Sequence, residues 1–115
     1  MTIKHFVSPK YQMSKLGKHK WHVPRLFELS KNLEVMDIPL SHMNMYYKYN
    51  DLTLRELVGH MEAVNKADLR FPIILDEDGE IMDGRHRLMK AVLQGKESIK
   101  AVRFKENPTP CEVVD

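Results

Sequence analysis

The sequence predicts an α+β fold, a small mixed β-sheet packed with helices in a single domain. Three stretches carry that reading. Phe71-Pro72-Ile73-Ile74-Leu75 is a short apolar run rich in β-branched residues, which leaves through Asp76-Glu77-Asp78-Gly79 and returns as Glu80-Ile81-Met82, the pattern of a strand, a tight turn and a brief partner strand. Residues 53–67 repeat apolar side chains at helical spacing, and residues 84–94 do so again before a closing apolar stretch at residues 98–104.

Composition bounds the rest. The chain has 115 residues, 43% hydrophobic and 30% charged, an ordinary globular balance for one domain. Its parts are a basic N-terminal arm over residues 1–24, the folded core, and an irregular tail over residues 107–115. No apolar run approaches the ~20 residues of a membrane span, and the first residues lack the apolar segment of a secretory signal, so no membrane partner and a cytoplasmic location are expected. Cys111 is the single cysteine, so it has no internal disulfide partner; it sits in a polar, proline-flanked tail with no base near it in sequence.

The net charge of +2 conceals an asymmetry. Residues 1–31 hold seven lysines and arginines against Glu28 alone, a net of +6, while residues 32–115 hold 11 basic and 15 acidic groups, a net of −4. In the arm Phe6, Tyr11 and Trp21 stand among lysines. Lysines neutralise phosphates and rings stack on bases, which makes Lys15, Lys18, Lys20 and Trp21 candidates for contact with nucleic acid. The same residues also suit an extended strap with a solvated basic side and Trp21 in the core. His19 and His22 stand three apart, a spacing that shares a metal on a helix, but no cysteine or further histidine lies close, and no metal site is assigned.

Residues 25–33 read as a short helix behind Pro24, with Leu26, Leu29 and Leu33 on one face. Residues 35–40 look extended, with Pro39 marking an edge or a strand end. Residues 41–50 crowd Met43, Met45, Tyr46, Tyr47 and Tyr49 together, a group suited to covering the core, lining a base pocket or making a dimer contact. His42 follows the strand, where it suits a base near the site or an ordinary structural histidine. Thr53 with Glu56 forms a capping box for the helix of residues 53–67, whose apolar face runs through Leu54, Leu57, Val58, Met61 and Val64 and whose solvated face carries Arg55, Glu62 and Lys66.

The chemistry concentrates at Asp83-Gly84-Arg85-His86-Arg87. Asp83 is placed to cap the following helix, and Gly84 lets the backbone approach a ligand closely. Leu88, Met89, Val92 and Leu93 form one apolar face and Gly95 stops the helix, so Arg85, His86 and Arg87 fall in its first turn. A helix N-terminus offers unsatisfied N–H donors and a positive dipole end, and two guanidiniums and an imidazole beside it suit a phosphate group. The alternative is that the arginines pair with Asp76, Glu77, Asp78, Glu80 or Asp83 and stitch hairpin to helix.

The order Pro72-Ile73, Asp78-Gly79-Glu80-Ile81, Asp83-Gly84-Arg85-His86-Arg87, Ala91, Gly95 and Ile99-Lys100-Ala101-Val102 closely resembles the ParB/sulfiredoxin-like superfamily over residues 35–104. The resemblance implies a ParB/sulfiredoxin-like fold and nucleotide-phosphate binding by Asp83, Gly84, Arg85, His86 and Arg87, as in the CTP-binding ParB proteins and the free-serine kinases; Gly84, His86 and Arg87 match that motif directly. Arg85 stands where sulfiredoxins carry their catalytic cysteine, which excludes their repair chemistry. DNA-segregating ParB proteins usually read Gly-Glu-Arg-Arg here and continue into a helix-turn-helix domain, and this chain ends about where that domain would begin.

The expected function is therefore that of a nucleotide-binding ParB-like domain, a nucleoside triphosphatase or nucleotide-dependent switch, with CTP, ATP or ADP as ligand, Mg2+ accompanying it and His86 as the catalytic proton carrier. As a switch it would act on a protein partner; the alternatives are a DNA-binding or nuclease protein of the ParB-like class, and a non-enzymatic accessory or regulatory protein that keeps the fold without the activity.

Overall fold

The computed structural model describes residues 13–16, 19–46 and 51–113. Its elements in order are β1 (Met13–Leu16), β2 (His19–His22), α1 (Val23–Ser30), β3 (Met36–Pro39), a 3-10 turn (Leu40–His42), α2 (Leu54–Lys66), β4 (Ile73–Leu75), β5 (Ile81–Asp83), α3 (Arg85–Leu93), β6 (Ser98–Arg103) and β7 (Glu112–Val113).

The central sheet has four strands in the order β3-β6-β4-β5 and is mixed as expected: β6 runs antiparallel to β3 and parallel to β4, and β4 runs antiparallel to β5. Apolar layers cover both of its faces. Ile73, Leu75, Ile81, Ile99 and Ala101 meet Leu88 and Ala91 of α3 on one side, with Met43 beside them. Ile74, Met82, Val102 and Phe104 meet Trp21 and Leu26 on the other. Side chains alternate across a strand, so a strand buried on both faces must be apolar at every position, which is why residues 73–75 read as an unbroken run.

The second layer draws on both ends of the chain. The arm contributes the β1–β2 hairpin, with Ser14 opposite Trp21 and Lys15 opposite Lys20. In the tail, residues 107–111 carry no helix or strand, and β7 then pairs with β2, His19 opposite Val113, so three strands β1-β2-β7 form a second sheet. Trp21 is only 1% exposed and its indole N–H donates to the Pro108 carbonyl at 2.9 Å. That burial removes Trp21 as a ring for base stacking and gives the strap reading its core residue. Cys111 is half-buried, its Sγ accepting from the His22 backbone N–H at 3.4 Å and facing Arg25 Nη1 at 3.5 Å.

Helix α1 begins at Val23, two residues earlier than expected, with Pro24 in its first turn, and buries Leu26 completely while Phe27 and Leu29 stay about half exposed. Helix α2 is capped as its sequence predicts, Thr53 Oγ1 accepting from the Glu56 N–H at 3.1 Å and donating to Glu56 Oε1 at 3.1 Å. Its apolar face lies where the spacing places it but is mostly turned away from the core. Of that face only Val64 is buried, whereas Leu54, Leu57, Val58 and Met61 are 82%, 45%, 51% and 59% exposed. In the segment before α2, Met43 is core, Met45 and Tyr46 are exposed, and Tyr47 and Tyr49 lie outside the described residues. No helix among the described residues is long and apolar enough to cross a membrane.

Candidate functional site

The site is built where β5 ends and α3 begins. Between them Gly84 sits at φ 105°, ψ 20°, in the left-handed region that L side chains avoid. A Cβ there would stand 2.5 Å from Ile73 Cγ2 and 2.9 Å from Arg87 Nη2, so glycine is required by conformation and by space. The tight turn aims α3 back over β4 and brings Arg85, His86 and Arg87 into one half-buried cluster.

Asp83 does not cap α3. Its carboxylate accepts from Arg87 Nη2 at 2.9 Å, with both side chains only 17% exposed, and Arg87 Nη2 also faces the Pro72 carbonyl at 3.4 Å. Arg87 thus ties the helix to β5 and to the residue that precedes β4, which is half of the stitching alternative. Asp76 has a different use. Asp76 is buried and its Oδ1 accepts from the backbone N–H groups of Asp78 at 2.9 Å and Glu80 at 2.8 Å, which shapes the β4–β5 turn. Because the cap residue is a glycine, no side chain at that position serves the first turn of α3, and the first amide bonded within the helix is Leu88, donating to the Gly84 carbonyl at 3.0 Å.

His86 faces α2. Its Nε2 lies 2.7 Å from His60 Nδ1, the ring centroids 5.0 Å apart, so one ring donates and the other accepts across the two helices. Burial, then His60 and Arg85, hold the His86 imidazole below its ordinary pKa against the opposite pull of Asp83. It is neutral at pH 7 and able to accept a proton.

Sequence reasoning names Asp83, Gly84, Arg85, His86 and Arg87, and the structure brings all five together; it misses His60, which is separated from His86 by 26 positions. The signal was available in part, since His60 lies mid-helix beside the apolar positions of α2. His42, by contrast, is an exposed residue of the 3-10 turn. Of the arm candidates, Lys15 and Lys20 face one another across the hairpin in backbone register, and Lys18 lies outside the described residues. His19 and His22 lie on a strand, where residues three apart point to opposite faces and cannot share a metal, and no group of three metal-ligating side chains occurs among the described residues. Compared with protein-family models, with curated proteins and with solved structures, the chain matches none of them.

Proposed function

We propose that the start of α3 binds the phosphate groups of a nucleotide, CTP, ATP or ADP, in a ParB-like nucleotide-binding domain that acts as a nucleoside triphosphatase or a nucleotide-dependent switch. The observation that carries the reading is the left-handed Gly84 opening α3 without a side-chain cap while Asp83 is committed to Arg87. First-turn amides and the positive end of the helix then suit an anion, with the cationic Arg85 beside them. The likeness of residues 83–87 to the superfamily motif supports the same ligand.

His86 suits a proton carrier, because burial favours its neutral form and its ring is hydrogen-bonded to that of His60. Asp83 is spent on Arg87, so accompanying Mg2+ would be held through the ligand's own phosphates. The test is a melting-temperature panel of CTP, ATP, ADP and GTP with and without magnesium. At least one nucleotide should raise the melting temperature, since a ligand of the folded state stabilises it by mass action. Unchanged melting at millimolar nucleotide would refute the reading.

Contact with nucleic acid is favoured by a separate feature. An open depression of about 590 Å3 is lined by Lys66, Arg70, Lys90, Lys96 and Lys100, with Asp68 the one carboxylate among its lining residues. Each phosphate neutralised there would add about −0.9 to the slope of log K against log salt, so duplex binding whose slope shrinks in Lys96→Ala and Lys100→Ala variants would support it.

A further inference from the structure

Helix α2 carries an apolar stripe that the described residues leave uncovered. Leu54, Leu57, Val58 and Met61 recur at helical spacing and are all exposed, Leu54 by 82%, while the core-facing side of the helix is held by Val64 and by the contact of His60 with α3. An amphipathic helix normally lays such a stripe against its own core; one turned outward marks a contact surface.

We infer that this stripe is the face on which two copies of the chain pair, α2 against α2 and antiparallel, in a weak reversible dimer. The stripe reads the same in both directions about a centre between Leu57 and Val58. A two-fold axis through that centre sets Leu54 against Met61 of the partner and Leu57 against its Val58, the self-complementarity that an isologous interface requires. Charge selects the direction. Arg55 and Glu62 are seven residues apart and therefore flank the stripe on the same side. An antiparallel pair keeps like flanks together and brings Arg55 beside the partner's Glu62 twice, offset by about 3 Å along the axis, a distance long side chains span. A parallel pair would put the two flanks on opposite sides and leave both charges unmatched across the interface. Glu62 also pairs with Lys66 of its own helix at 2.7 Å, an exposed contact weak enough to be shared. One helix of 13 residues per copy offers a small interface, which places the dimer in the weak, concentration-dependent class.

The test is sedimentation equilibrium of the full chain over about a hundredfold range of concentration. A monomer–dimer equilibrium is expected. Val58→Glu should raise its dissociation constant about tenfold or more, with an unchanged circular dichroism spectrum, because Val58 is half exposed in the monomer. Arg55→Glu should weaken the dimer, and Arg55→Glu combined with Glu62→Arg should restore it. A chain that stays monomeric throughout overturns the inference, as does a dimer indifferent to Val58→Glu. A monomer that instead sediments with phosphatidylserine vesicles would assign the stripe to a lipid surface and overturn it equally.

Discussion

Asp83, the last residue of β5, holds the guanidinium of Arg87 at 2.9 Å across the turn that opens α3. The pair is largely shielded, so removing the cation leaves a half-buried carboxylate without its partner. Arg87→Ala should therefore lower stability by about 1–3 kcal/mol, read as a shift in the urea midpoint, whether or not nucleotide is present. An unchanged midpoint would show that the pair contributes nothing to the fold.

Gly84→Ala should be at least as damaging. The added methyl meets the fully buried Ile73 at 2.5 Å and is carried by a left-handed residue. Backbone strain of about 1–2 kcal/mol and overpacking of about 1–3 kcal/mol give an expected loss of about 2–5 kcal/mol in chemical denaturation. Wild-type stability in that variant would contradict the tight turn described.

The His60–His86 contact sets a pH dependence. Since burial holds the His86 pKa down in the folded chain, the unfolded chain takes up that proton first as pH falls. The contribution is fully present above the ordinary histidine pKa of about 6.5 and is lost as pH drops through it toward the folded-state value. Going from about pH 7.5 to about pH 5.5, the parent should lose more stability than His86→Gln, which keeps a hydrogen-bonding side chain without titrating in this range. Equal losses would sink this account of the pair.

Most of the central sheet and the motif were legible because they are local. The turn of residues 76–79, the Thr53 cap and the apolar run of residues 73–75 each state their conformation within a few positions. What was not legible is long-range. Nothing near Trp21 in sequence names Pro108 as the acceptor of its indole N–H, and a two-residue strand such as β7 leaves no periodicity to read. The outward turn of Leu54, Leu57 and Val58 was hidden for a different reason: spacing identifies an apolar face without saying what the face meets. At the site, the local use of an aspartate before a helix is a cap, whereas a guanidinium one turn on is the stronger partner for Asp83.

Trp21 anchors the β1–β2 hairpin in the core. Trp21→Ala should cost about 3–5 kcal/mol, and deletion of residues 1–20, which removes β1 and the first half of β2, should lower the melting temperature by several degrees or more. A deletion that melts like the full chain would show that the second sheet is dispensable.

The phosphate site at the start of α3 is tested most directly by titrating CTP, ATP and ADP into isotopically labelled protein and following each backbone amide by NMR. The largest shifts should fall on Gly84, Arg85, His86 and Arg87, and Arg85→Ala should weaken the nucleotide that binds by about tenfold. Shifts confined to other surfaces, or none at millimolar nucleotide, would contradict it.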